Sequence, residues 1–192
     1  MGNFSNAKAI TFFDTELTNL DPEKSALLDI TIITDWSEGG TETWSTKVKP
    51  TKAQLKKADP EALKIVGYNE EDWKDAPSID EVAETIVKKL TWGPICAHNA
   101  VFDYRHLTEI LKRAGWEEVF MGKTDWSKKQ FSLSTLIYDT RALAHIYLDS
   151  ERQNMAVLRE RFELTDEGAH TSQKDTEDCR TIFYNIISET MQ

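Results

Sequence analysis

Asp14 and Glu16 stand two residues apart at the end of an apolar run, Ile10-Thr11-Phe12-Phe13. In a β-strand, side chains two apart share a face, so the two acids would be presented side by side. Adjacent carboxylates repel each other and hold protons more tightly unless a cation lies between them. Hard divalent ions are the cations that prefer oxygen ligands. Two further acids occupy comparable settings. Asp103 follows the apolar Ile95-Cys96-Ala97 and the polar His98-Asn99, and falls in the first turn of a helix. Asp175 opens the last helical stretch, with His170 five residues before it. Each residue alone also fits a plainer role, as a solvated turn, a helix-dipole partner or, for His98, a satisfied core residue. Together, four carboxylates and one imidazole at the ends of apolar elements match metal-assisted phosphodiester hydrolysis. In that chemistry two divalent ions about 3.5–4 Å apart clamp the scissile phosphate. A base that titrates near neutrality takes the proton from water.

The elements that must position these residues are legible in the hydrophobic spacing. Residues 9–14 predict a central strand, 27–36 a second and 41–48 a third, with Glu38-Gly39-Gly40 as the turn. Their short connections favour an antiparallel meander. Pro50 breaks the pattern; a short helix is expected over 51–58 and another over 60–66, opened by Pro60 and closed by Gly67. Ile79, Val82, Ile86, Val87 and Leu90 recur at helical spacing until Gly93-Pro94. A short strand at 95–97 and a helix at 101–114 follow. Residues 116–132 read as irregular. A last strand at 136–138 leads through Asp139 into a helix over 142–147, with further helices at 154–162 and 175–191 and a polar loop at 168–174. Strands first, then helices interleaved with two more strands, give a mixed α/β sheet flanked by helices. Ligand sites in such sheets lie beyond the strand ends.

The 192 residues fit one domain, 8–191, behind a short tail, 1–7. A net charge of −10 argues against a passive nucleic-acid binder held by a broad basic face. It leaves room for an enzyme that grips a few nucleotides through metal ions. No apolar run is long enough for a bilayer and the N-terminus lacks a secretory pattern, so a cytoplasmic location with no membrane partner is expected. Cys96 and Cys179 form no Cys-x-x-Cys pair and are expected to be free buried thiols. Two Cys and four His show no zinc-ligand spacing.

The chain resembles the DnaQ-like, DEDDh-type 3′→5′ exonucleases. Phe13-Asp14-Thr15-Glu16-Leu17-Thr18-Asn19-Leu20 is similar to that family's first motif, FDTETTGL. Ala97-His98-Asn99-Ala100-Val101-Phe102-Asp103 is similar to its second, HNAxFD, and His170 with Asp175, as H-x-x-x-x-D, to its third. The stretches from Asp59 to Leu63, Gly67-Tyr68, Ala76-Pro77 and Tyr138-Asp139-Thr140 share the likeness, which covers about residues 8 to 190. The resemblance implies a ribonuclease H-like fold: a five-stranded mixed sheet, its first three strands antiparallel, with helices on both sides. It implies that Asp14, Glu16, Asp103 and Asp175 bind two Mg²⁺ or Mn²⁺ ions, with Asp14 bridging both and His170 as general base. It further implies a product of 5′-mononucleotides released from 3′ ends, and places Thr15, Leu17, Thr18, Asn99 and Phe102 against the substrate.

Leu17 stands where the family more often has Thr; it either wedges against the terminal base or packs in the core. Asn19 replaces Gly and can still adopt a left-handed turn. Phe102 either stacks on a base or belongs to the core. Residues 121–133 mix Lys123, Lys128 and Lys129 with Trp126 and Phe131, which suits either a guide for single strands or a solvated loop. Single-stranded DNA is the expected substrate, with RNA the second choice. The sequence stops just after the last helix, which favours an enzyme acting alone. Two other readings compete. One is a haloacid-dehalogenase-like phosphatase with Asp14 as nucleophile, a DxDxT motif with Glu in place of the second Asp. The other is an inactive nuclease-like module that binds a polymerase or another partner.

Overall fold

The computed structural model describes residues 8–119, 123–132, 136–148 and 152–190. The tail 1–7 and Met191 lie outside them. The sheet holds β1 (Ala9–Leu17), β2 (Leu27–Trp36), β3 (Thr41–Lys47), β4 (Ile95–Ala97) and, after a small ribbon of β5 (Glu117–Glu118) and β6 (Gln130–Phe131), β7 (Ile137–Asp139). Its order is β3-β2-β1-β4-β7. β1 pairs antiparallel with β2 and β2 with β3, whereas β4 runs parallel to both β1 and β7. The antiparallel pairing directly after the Asp14 strand leaves no place for the crossover helix that a dehalogenase-like phosphatase needs. Gly93 makes the β1–β4 approach possible: a Cβ there would lie 2.4 Å from the Ala9 carbonyl oxygen. Pro94 then accepts the Thr11 N–H at 2.9 Å and sets the register.

Three short helices, α1 (Lys52–Leu55), α2 (Pro60–Val66) and α3 (Glu70–Trp73), lead to α4 (Ile79–Leu90). α5 (Ala100–Arg113), α6 (Thr140–Tyr147), α7 (Met155–Arg161) and α8 (Ser172–Thr190) complete the chain. Alternation along β1 divides the core. Phe13 and Leu17 face one side with α4 and α5; Ile10 and Phe12 face the other with Cys179 and Phe183 of α8. Cys96 and Cys179 are free and buried.

Several boundaries differ from those the sequence suggests. The first short helix shrinks to one turn, opened by a Thr51–Gln54 capping box. The one-turn α3, which the spacing does not reveal, is set by the Asn69 cap and buries Trp73. Residues 116–132 are less irregular than expected, because the β5–β6 ribbon and a 3₁₀ turn at Trp126–Lys128 order their described part. The last strand moves one residue on and α6 begins at Thr140, since Asp139 caps it through the N–H groups of Arg141 and Ala142. The final helix starts three residues early, at Ser172. The Ser172 hydroxyl sits 2.7 Å from Asp29 Oδ1 and 2.8 Å from the Thr31 hydroxyl, which ties the head of α8 to β2.

Candidate active site

The tie between Ser172 and β2 decides where Asp175 falls, one turn into α8. It stands over β1, where alternation presents Asp14 and Glu16 towards α8. One carboxylate oxygen from each of Asp14, Glu16 and Asp175 lies within 4.8 Å of the others. Asp103 lines the same cleft but stands outside this trio, on α5. Its Oδ1 accepts from the Thr15 hydroxyl at 2.6 Å and the Thr15 N–H at 3.2 Å. His170 borders the cleft on the loop before α8, exposed and in the left-handed conformation, φ 64°. The cleft holds about 360 Å³ and is also lined by Thr15, His98, Asn99, Phe102, Arg141, Asn154 and Met155.

The second motif is shaped by one remote acid. Asp139 accepts from the N–H groups of Asn99 and Ala100, each at 3.0 Å, while it also caps α6. This carboxylate substitutes for an absent Asn99 side-chain cap and holds Asn99 at φ 65°. Asp103 thereby falls on the first turn facing the trio. His98 is the satisfied residue: its Nδ1 lies 3.0 Å from the Thr140 hydroxyl, and burial pulls its imidazole down to about 4, so it is neutral at neutral pH. Phe102 is half-buried, packed against the core with its ring centroid 4.2 Å from that of His106, and it still borders the cleft.

Two expected substrate contacts are not brought to the cleft. Leu17 is 7% exposed and packs in the α4–α5 core. Leu17 is absent from the cleft lining and shares the core-facing side of β1 with Phe13, which favours the packing role over the wedge. Thr18 is fully buried and its hydroxyl accepts the Ala26 N–H at 2.8 Å, bracing the β1–β2 connection. Phe131 is likewise fully buried, so it is no stacking platform, and Lys128 is paired with Asp125. The alternation signal that would have placed Leu17 was available in the sequence. Arg141, Asn154, Met155 and Arg159 were not singled out by it, because each meets the site only through the fold. Arg159 is 3% exposed; its Nε donates to Asp178 at 2.7 Å and its Nη2 to the ligand candidate Asp175.

The acids crowd one another. Burial, then Asp103, Glu16 and Asp175, push the Asp14 carboxyl well above the ordinary carboxylate range. Burial, then Asp175, Asp29 and Asp103, push Glu16 up to about 8 from its ordinary 4.5. Burial raises Asp103 to about 7 against the opposing Thr15 hydrogen bonds. A site whose anions resist ionisation, and whose oxygens converge, fits a hard divalent cation. The sign of the pH effect follows. With Glu16 raised, the native metal-free state holds more protons than the unfolded chain between roughly pH 4.5 and 8, so its stability falls as pH rises through that window. Mn²⁺ titrated calorimetrically in buffers of different ionisation enthalpy is expected to bind more tightly with rising pH and to release protons. Thermal melts should show a metal-induced stabilisation that is larger at about pH 8 than at about pH 5. Binding without proton release, at any pH in that window, would count against the site.

The model of the family described as Exonuclease (RNase_T) matches residues 11–183. The chain is 27% identical over 183 residues to the DNA polymerase III subunit epsilon of Treponema pallidum, covering 94% of this chain and 77% of that one. It is 25% identical over 185 residues to the PolC-type DNA polymerase III of Thermotoga petrophila, covering 96% of this chain and only 12% of the relative. E. coli exonuclease I in complex with a dA16 oligonucleotide superposes with a TM-score of 0.73 at 17% identity, over 96% of this chain and 41% of that one. Cell-death related nuclease 4 gives 0.71 at 13% identity, over 95% and 64%.

Proposed function

The chain belongs to the exonuclease family, with the DnaQ-like, ribonuclease H-like fold, and from that membership we propose that it removes 5′-mononucleotides one at a time from the 3′ ends of single-stranded DNA. The observation that carries the reading is the convergence of Asp14, Glu16 and Asp175 within 4.8 Å beside His170 in one open cleft. A bound pair of Mg²⁺ or Mn²⁺ ions would supply charge neutralisation at the scissile phosphate and an acidified water. The side chains that would hold them are Asp14, shared between both, with Glu16, Asp175 and Asp103.

The chain's own residues do the rest. The Ser172 anchor and the Asp139 cap fix two of the acids on helices, so little reorganisation is needed when phosphate enters. Thr15 holds one Asp103 oxygen and so fixes the carboxylate at the cleft wall. His170, on its exposed loop, accepts the proton from the attacking water; an imidazole suits that task near neutral pH. Phe102 and Asn99 border the space for the terminal nucleotide. The preference for DNA is supported by the polymerase subunits and the oligonucleotide-bound nuclease among the similar proteins. Among the described residues, no helix is long and apolar enough to cross a membrane.

His170→Gln is expected to lower kcat by roughly 10²–10⁴-fold. It should leave Mn²⁺ binding and the melting temperature intact. A kcat within tenfold of wild type would exclude His170 as the base. The reading as a whole is tested by product chromatography: oligothymidylate incubated with Mg²⁺ should yield 5′-thymidylate from the start. Nucleoside 3′-phosphates or mid-length fragments as first products would refute it.

A further inference from the structure

The cleft that is proposed to receive a polyanion is lined by four carboxylates in a chain of net charge −10. Among its described lining residues, Arg141 is the lone lysine or arginine. Its backbone is fixed, because its N–H donates to Asp139 Oδ1 at 2.9 Å in the first turn of α6. Its side chain is exposed, and among the described residues its guanidinium makes one long hydrogen bond, Nη1 to Asn99 Oδ1 at 3.4 Å. Among the described residues it enters no ion pair, although Asp14, Glu16, Asp103 and Asp175 share the cleft with it; Asp175 pairs with Arg159 instead. A guanidinium left uncommitted beside four acids is placed for an anion that arrives from outside.

Its position says which anion. Arg141 follows β7, and β7 lies two strands from β1 in the sheet. Neighbouring strands are about 4.8 Å apart, so the base of this side chain stands roughly 10 Å across the sheet from the Asp14 strand. A scissile phosphate seated over the acid trio is therefore not its nearest partner. A strand that ends at its 3′ nucleotide has further phosphates on the 5′ side alone. Arginine's planar fork matches phosphate oxygens, and its charge does not titrate away.

We propose that Arg141 binds a phosphate of the bound strand on the 5′ side of the scissile one, so that the site favours oligonucleotides over isolated nucleotide esters. The inference rests on the exonuclease reading and adds a subsite to it. The test compares wild type, Arg141→Gln and Arg141→Lys on two substrates. One is a short oligothymidylate; the other is the p-nitrophenyl ester of thymidine 5′-monophosphate, which carries the scissile phosphate and no other. In Arg141→Gln the ratio of kcat/KM for the oligonucleotide to that for the ester should fall about ten- to hundredfold, mainly through KM. Arg141→Lys should recover part of the loss. The slope of log KM against log salt should flatten by about 0.7, the share of one phosphate in a single strand. A steady ratio, whether both activities hold or both fall, overturns the inference. Wild type inert towards both substrates overturns the exonuclease reading itself, which separates the two failures.

Discussion

Asp14→Asn is expected to abolish hydrolysis while making the metal-free protein more stable at about pH 8. Both effects have one cause. Asp14 sits among Asp103, Glu16 and Asp175, and burial and those three acids hold its carboxyl far above the usual range. Ionising it in the absence of a cation therefore costs folding free energy, and a neutral amide of the same shape removes that cost. The amide is also a poor ligand for a hard cation, and Asp14 is the residue proposed to serve both ions. Lewis-acid stabilisation of the transition state is worth several kcal/mol, and roughly 4 kcal/mol corresponds to about a thousandfold in rate. A fall of at least that size in kcat/KM, with a raised melting temperature at about pH 8 and a smaller gain at about pH 5, is the predicted pattern. Retained activity within tenfold would place the chemistry elsewhere. A lowered melting temperature at both pH values would mean that Asp14 is a structural residue.

Arg159→Met is expected to produce the largest loss of stability, about 3–5 kcal/mol, which is the usual consequence of leaving buried acids without their cation. Arg159 is 3% exposed and bridges Asp175 and Asp178. Asp178 is equally buried and among the described residues would keep the Lys174 ammonium alone, 2.6 Å from its other oxygen. Domains of this kind have roughly 5–15 kcal/mol in total, so the loss is a large share. Arg159→Lys is not a mild change, because an ammonium cannot fork between two carboxylates. The partner variant gives the check: Arg159→Met with Asp178→Leu should recover most of the stability in urea titrations, since replacing a buried pair by apolar groups is often neutral. If Arg159→Met unfolds at the same urea concentration as wild type, the bridge contributes nothing.

The acids proposed to carry the chemistry were readable because each ends an apolar element, and because their spacing is local. Period two aligned Asp14 with Glu16, and a helix start placed Asp103. The meander of β1 to β3 and the amphipathic helices were readable for the same reason: their patterns repeat within a few residues. What the sequence left open depends on contacts between distant segments. Arg159 reads as one more charge on a polar helix face until α7 is packed against α8. Asp139 reads as the link from the last strand into the next helix, yet it caps both α6 and, from a neighbouring strand, α5. The start of α8 moved to Ser172 because Asp29 and Thr31, some 140 residues earlier, supply its anchor. Leu17 shows the converse. Its burial followed from the alternation already used for the acids on either side of it, and its likeness to a substrate-contact position pointed the other way.

The layout also explains why the site can be both built and unstable. Ser172, Asp139 and Arg159 hold like charges together through hydrogen bonds and ion pairs, and a bound cation would relieve the repulsion among Asp14, Glu16 and Asp103. On the proposed reading, metal binding and folding would be coupled through β1, α5 and α8.

The most direct measurement is a time course on a 5′-labelled single-stranded DNA, resolved to single nucleotides. With Mg²⁺ or Mn²⁺ the full-length band should shorten stepwise from its 3′ end, and EDTA or Asp14→Asn should each leave it intact. Internal fragments appearing before the ladder, or a ladder that persists in EDTA, would contradict the account.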